Sequence, residues 1–348
     1  MTTYDYVIIT NIPAFYKDNL YSQLSKKCKI HVIYLSSKSK IREGDFVDGL
    51  FDYPHSFVFG DVDYEDRCKV KSLFRFLNIL RGLKFKKLIL PGWELKELML
   101  LSLIYRKDKL AIVIESSISE SKTEGLVWFI KKLYINRFSL AFPSGFLQSQ
   151  ILEKANYKNS KKFTYGVGLP NRIKERNITD KVINEKSLKC LYVGRLSSEK
   201  NLPFLIDRFK ESQHELTIIG SGDELSELQS IASDNVKFKG YIDNKKLVEE
   251  YPQYDLFILP SKSEPWGLVI DEALWFGLPV LVSSNVGCNE DLVIGPCSGE
   301  VFMIDDVKSF FSALEKISAN YEYYRNNVNS IDFHQRDRKQ IMSYVDSL

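Results

Sequence analysis

The chain has 348 residues, more than one ordinary hydrophobic core uses, so two domains of roughly 150 residues each are expected. Hydrophobic residues make up 44% and charged residues 27%, without repeats or low-complexity tracts, which excludes a fibrous or disordered chain. The net charge of +3 hides an asymmetry: residues 1–180 hold 30 Lys/Arg against 19 Asp/Glu, and residues 181–348 hold 18 against 26. Opposite signs in the two halves point to two units with different partners, the positive one facing an anionic acceptor or surface. The start, MTTYDYVIIT, lacks a basic stretch followed by an apolar core, and no segment approaches the ~18 uncharged apolar residues of a spanning helix. Cys28, Cys68, Cys190, Cys288 and Cys297 are scattered and form no CxxC, as expected of small apolar residues in a reducing cytoplasm.

In chain order, short apolar runs predict strands at 5–10, 29–35, 87–91, 110–115 and 138–142. Amphipathic segments between them predict helices near 17–27, 66–82, 94–106, 124–136 and 145–155. Continuously apolar strands separated by helices imply a parallel sheet covered on both faces. The polar segment 171–187 has no period and reads as a linker. A second series follows: strands at 188–193, 215–219, 236–239, 255–259 and 279–283, with helices at 201–211, 223–232, 245–251 and from about 267. The stretch QRDRKQIMSYVDSL reads as a last helix. The fold class is therefore α/β, with two doubly wound, Rossmann-like domains: 1–170, and 188–334 after the linker.

In such sheets ligands gather where strands end and helices begin. Asn11, Gly92, Glu115, Gly194, Gly220 and Ser261 all occupy such places. In SEPWGLVIDEALWFGLPV, 263–280, a helix is expected from Gly267 to Phe276, with Gly277 after its end and Pro279 preventing continuation. The unpaired amides of Gly267, Leu268 and Val269 form an anion site, and Gly267 lets a phosphate approach. Glu264 precedes this terminus and Glu272 lies inside the helix, so two carboxylates bracket a bound diphosphate and accept hydrogen bonds from hydroxyls at its two ends. Taken alone, a glutamate before a helix merely offsets the dipole. Upstream, LYVGRLSSEKNLPFLIDRF, 191–209, sets Arg195 and Lys200 between a strand and a helix, where two cations suit a diphosphate, although GRLSSEK alone is compatible with a surface turn. TIIGSGDEL, 217–225, adds Gly220 and Gly222 at another strand-to-helix turn.

Taken together, strand–GRLSSEKN–helix, the GSGDEL turn and the E-x7-E stretch ending in GLPV resemble glycosyltransferase family 4 in order and spacing. The likeness is close over 188–295 and architectural elsewhere. It implies the GT-B fold, two Rossmann-like domains facing across a cleft with the last helix, 335–348, packing back on the first. It also implies a retaining hexosyltransferase, with UDP-sugars more frequent donors than GDP-sugars. On this likeness Arg195 and Lys200 neutralise the donor diphosphate beside Gly194 and Gly220. The amides of Gly267, Leu268 and Val269 hold phosphate and sugar oxygens. Glu264 contacts sugar hydroxyls, Glu272 takes the ribose, and the base lies near Tyr241 and Ile242. In such enzymes the acceptor attacks on the face the diphosphate leaves, and the leaving phosphate takes its proton. No metal or other cofactor is expected.

Two departures affect the acceptor side, assigned to Asn11, Trp93 and Glu115. The loop after the first strand, TNIPAFYKDN, is not glycine-rich, and Glu115 stands where many members have a histidine. A carboxylate at a strand end can accept a hydroxyl or act as a base, or serve only as a loop carboxylate. GDVDYED, 60–66, contains a DxD triplet that holds a metal in the other major transferase architecture, but nothing else in the chain supports that architecture. The basic segments 67–87 and 128–138 carry interleaved aromatics, suited to an anionic membrane or simply to core-packed helices with solvated lysines. No nucleic-acid motif accompanies the charge. The expected partners are a nucleotide sugar and a glycan acceptor, a lipid-linked bacterial surface oligosaccharide, at the cytoplasmic face of a membrane. The alternatives are a nucleotide-sugar epimerase of the same architecture and a non-catalytic glycan-binding module.

Overall fold

The computed structural model describes residues 2–42, 44–47, 51–171, 187–210 and 212–348. The segment read as a linker lies, apart from its ends, outside the described residues. The chain divides into two compact units, Met1–Asn171 with His334–Leu348, and Arg172–Phe333.

The first unit is built on strands β1 (Thr3–Thr10), β2 (Ile30–Lys38), β3 (His55–Asp63), β4 (Lys84–Pro91), β5 (Leu110–Ile114), β6 (Leu140–Pro143) and β7 (Ser160–Lys161). They form one parallel sheet in the order β3-β2-β1-β4-β5-β6-β7. Because successive side chains point to opposite faces, β1 feeds two cores. Val7 and Ile9 join Phe76, Leu98 and Phe138 on one face, while Tyr6 and Ile8 join Leu20, Phe142 and Tyr344 on the other. Tyr344 comes from the helix Phe333–Val345; it stacks on Phe142 at 4.5 Å, and its carbonyl accepts the Tyr6 hydroxyl at 2.8 Å.

The second unit holds β8 (Lys189–Val193), β9 (Glu215–Ile219), β10 (Val236–Gly240), β11 (Leu256–Leu259), β12 (Val280–Ser283) and β13 (Gly299–Phe302). They are parallel in the order β10-β9-β8-β11-β12-β13. In each sheet the connections diverge on either side of one strand pair, β1 and β4 in the first unit and β8 and β11 in the second. Each pair therefore opens a crevice at its carboxyl ends, the place where ligands bind in open α/β sheets.

Several elements differ from the sequence expectation. The helix expected over 94–106 is a 3-10 turn, Lys96–Met99, followed by the short helix Leu101–Ile104. Leu95, Leu98 and Leu101 are buried at a spacing of three, which aligns on a 3-10 turn and drifts on an α-helix. The helix expected over 245–251 is a short one, Asn244–Leu247, and then a 3-10 turn at Tyr251–Gln253, where Pro252 supplies no N–H. Strands β3, β7 and β13 and the helices Val307–Ala319 and Tyr321–Ser330 were not among the expected elements. The DxD triplet, Asp61 to Asp63, falls in β3, and no metal-binding cluster of His, Cys, Asp and Glu occurs among the described residues.

Candidate active site

In the second unit the loops at the carboxyl edge are laced to one another through the backbone. Gly194 N–H donates to Ile219 at 3.0 Å, Leu196 N–H to Ser221 at 2.8 Å, and Gly220 N–H to Gly240 at 2.8 Å. The lacing requires glycine at 220: its φ is +147°, and a Cβ there would sit 1.9 Å from the Gly194 carbonyl oxygen. Lys262 N–H donates to Glu199 at 2.8 Å, which ties the loop after β11 to the turn Ser198–Lys200 after β8. Tyr241, 44% exposed, and the half-buried Ile242 follow β10 on the same edge.

The crevice between β8 and β11 brings Lys200 and Glu264 together. Lys200 Nζ donates to Glu264 Oε2 at 2.6 Å, with the two side chains only 13% and 15% exposed. The Glu264 backbone is fixed by a parallel bridge to Val286 and by Gly287 N–H, which donates to its carbonyl at 2.8 Å. Arg195, more exposed, pairs with Glu199 at 2.8 Å, and its carbonyl accepts the Tyr192 hydroxyl at 2.8 Å. The cations expected to meet a diphosphate are thus already matched to carboxylates. Lys200 belongs to a partly desolvated pair, whereas Arg195 stands at the solvent edge.

The helix expected after Glu264 runs from Leu268 to Trp275, with Gly267 as its N-cap at φ +106°. A Cβ at 267 would lie 3.3 Å from Val286 and 3.5 Å from the Glu264 side chain, so the helix start is packed directly against that glutamate's loop. The first-turn amides, including those of Leu268 and Val269, have no acceptor within the helix and carry the positive end of its dipole. Glu272 lies on the same helix, away from Lys200. Its carboxylate accepts the Tyr251 hydroxyl at 2.8 Å, and burial pushes its pKa up to about 7 against that hydrogen bond. Tyr251 stacks on Phe276 at 5.1 Å. Gly277, at φ +82°, ends the helix in a left-handed turn.

In the first unit the residues assigned to the acceptor side lie at the carboxyl edge of β1, β4 and β5. Asn11 Nδ2 donates to Glu94 Oε2 at 2.9 Å, and Tyr64 donates to the other oxygen of Glu94 at 2.9 Å. Trp93 is half-buried against the core, with Lys131 Nζ 4.6 Å from its ring centre. Glu115 is joined in a hydrogen-bonded ion pair to Lys17, whose ammonium is buried beneath it. The structure thus adds Lys17, Glu94, Tyr64, Glu199 and Tyr251 to the residues picked from sequence. Lys17 lies in the loop-to-helix segment after β1, where the strand-end rule points, but its partner is 98 residues away and nothing local names it.

Residues 173–330 match the family described as glycosyl transferases group 1. The match covers most of the second unit. The O-antigen biosynthesis glycosyltransferase WbnH of Escherichia coli is 33% identical over 148 residues, 41% of each chain. The chain spans only 30–42% of the length of the first curated relatives it matches, which include an uncharacterized 41.2 kDa protein from the cps region of Klebsiella pneumoniae. Solved structures match along the entire chain. The lipopolysaccharide outer core galactosyltransferase WaaB superposes with a TM-score of 0.73 at 15% identity, covering 100% of both chains. Anabaena HepE, solved with UDP and glucose, gives 0.66 at 15% identity over 99% of this chain and 100% of its own. At such identity these two establish the fold, GT-B. Among the described residues no helix is long and apolar enough to cross a membrane.

Proposed function

We propose that the chain is a retaining hexosyltransferase that takes its sugar from a nucleotide sugar, with UDP as the preferred carrier, and passes it to a lipid-linked surface oligosaccharide on the cytoplasmic side of the membrane. The observation that carries this reading is the partly buried Lys200–Glu264 pair beside the helix start at Gly267. An ammonium, a carboxylate and helix-terminal amides meet around one crevice. HepE, which shares the fold, has been solved with UDP and glucose, and WbnH is named for O-antigen biosynthesis.

In the proposed reaction the acceptor hydroxyl oxygen bonds to the anomeric carbon on the face from which the diphosphate departs. The anomeric C–O bond breaks with its electron pair on the leaving phosphate, and a phosphate oxygen takes the acceptor proton. Lys200, Arg195 and the amides from Gly267 to Val269 stabilise the charge that develops on the leaving group. Glu264 orients sugar hydroxyls, and Glu272 accepts the ribose hydroxyls. Asn11 and Glu115 hold acceptor or donor hydroxyls on the first unit. Because protein cations and amides supply the charge stabilisation, no metal ion is required.

A thermal-shift panel of nucleoside diphosphates and their sugars tests the donor, since a ligand at ~100 times its Kd adds about 2.7 kcal/mol of stability. The expected result is stabilisation by a uridine nucleotide, with release of free nucleoside diphosphate from the sugar donor in excess chelator. Binding without release would leave only a binding module, and dependence on a divalent ion would overturn the metal-free mechanism.

A further inference from the structure

Within the second unit, the loop that carries Glu264 also carries Trp266, whose side chain is buried. A buried N–H needs a partner, and this indole donates across the turn at Gly267 to Asp271 Oδ2 at 3.2 Å. Asp271 lies in the first turn of the helix Leu268–Trp275 and is itself only 6% exposed. Burying a carboxylate costs free energy that hydrogen bonds and the positive end of a helix dipole offset. An apolar side chain would fill the same space without that cost; what the acid adds is a directional link between loop and helix.

Three further ties act on the same loop, all through the backbone. Glu264 forms a parallel bridge with Val286, Gly287 N–H donates to the Glu264 carbonyl at 2.8 Å, and Cys288 N–H donates to the Trp266 carbonyl at 3.1 Å. They hold the loop to the strip 286–288. The indole bond is of a different kind, because it joins the loop to the helix whose first amides are assigned to the phosphates. The pivot between loop and helix is Gly267, at φ +106° and without a Cβ, a residue that turns freely unless both its sides are held. Glu264 accepts from Lys200 at 2.6 Å, so the ammonium, the carboxylate and the helix start must keep one mutual geometry. A displacement of ~1 Å in such a group costs about 100-fold in rate.

We propose that Asp271 is a positioning residue for the transfer: through the Trp266 indole it locks the Glu264 loop to the helix start, and, being buried, it touches neither sugar nor phosphate. The proposal rests on the donor site read above and adds to it a residue outside the crevice. Burial, and after it the charge of Asp271, raises the neighbouring Glu272 carboxyl against the Tyr251 hydrogen bond. Asp271→Asn removes that charge but keeps an acceptor for the indole, so it separates the link from the charge.

The test compares the full chain with Asp271→Ala, Asp271→Asn and Trp266→Phe, all at pH 8, above the Glu272 value of about 7, so that Glu272 is ionised throughout. The Trp266 indole N–H resonance is assigned by its loss in Trp266→Phe; in Asp271→Ala it should move upfield and exchange faster. Without ligand, the Gly287 and Cys288 amides should exchange ~10-fold faster or more in Asp271→Ala. Turnover of the sugar donor should fall ~10–100-fold, while UDP affinity stays within ~3-fold because the helix itself holds the amides. Asp271→Asn should restore exchange and turnover to within ~3-fold of the parent, as expected if the link acts by hydrogen bonding. Trp266→Phe should match Asp271→Ala, and the double variant should lose nothing further. A merely structural role lowers the urea midpoint and the number of UDP sites but leaves turnover per bound site intact. That result, additive losses in the double variant, or unchanged Gly287 and Cys288 exchange overturns the proposal. Should Asp271→Ala fail to fold, normal turnover in Trp266→Phe overturns it. A parent that binds UDP without turning over any sugar donor sinks the transferase reading, and the indole and amide-exchange measurements still decide the role of Asp271.

Discussion

In the proposed donor site Glu264 holds the ammonium that a diphosphate would claim. At 2.6 Å and an effective dielectric of ~20 the gross attraction between Lys200 and Glu264 is about 6 kcal/mol. Desolvation of two mostly buried groups cancels most of it, leaving ~1–2 kcal/mol net. A pyrophosphate must share or displace that interaction, so the carboxylate competes with the leaving group for one cation. Glu264→Gln removes the competitor while keeping the shape. By isothermal titration calorimetry the variant is expected to bind UDP ~5–30-fold tighter, the whole of that net energy. Its turnover of the sugar donor should fall at least ~10-fold, because charge-assisted bonds to the sugar are lost. The gain must vanish in a Lys200→Met background, since without the ammonium nothing remains to compete for. UDP affinity that weakens or stays unchanged in Glu264→Gln, or a gain that survives in Lys200→Met, would refute the competition.

Two further outcomes follow from the same edge. Glu272 has a pKa of about 7 in the fold against a usual 4.5, so the folded state holds its proton more tightly. This contribution, of order 3 kcal/mol, is complete below pH 4.5 and is lost as pH rises through 7. Melting temperature without nucleotide should therefore fall between about pH 5 and 8 by more in the parent than in Glu272→Gln, while nucleotide affinity rises as the ionised carboxylate accepts ribose hydroxyls; parallel profiles for the two proteins would remove the assignment. Gly220→Ala drives a Cβ to 1.9 Å from the Gly194 carbonyl. It should destabilise the second unit by ~3 kcal/mol or more and weaken UDP binding together with it, which urea unfolding at an unchanged midpoint would contradict.

The central strands were legible because they are uninterrupted apolar runs: VIIT of β1, LIL of β4 and LFIL of β11 are buried on both sides. Edge strands carry no such signal. In β3 the run is broken by Gly60 and two aspartates that an exposed edge tolerates, and in β13 only four residues pair. The helix start at Gly267 was readable from local chemistry: a glycine after Trp266, and Gly277 and Pro279 as a stop. The partners were not. Lys200 and Glu264 are 64 positions apart, Tyr251 and Glu272 are 21 apart, and only the sheet order brings each pair together. That the helix Gly125–Ile135 turns Leu126, Phe129, Ile130 and Leu133 to solvent was hidden for the opposite reason: their spacing is that of a core helix, and sequence alone cannot tell which side the core takes.

The docking of Tyr344 on Phe142 and Tyr6 has a consequence for biosynthesis. A ribosome moving along the message releases the seven-stranded sheet early, then makes the whole nucleotide domain before the aromatic that closes one side of that sheet emerges. Throughout that interval the nascent first half carries an open seam over Tyr6, Leu140 and Phe142, a surface left to be shielded from self-association until the chain returns.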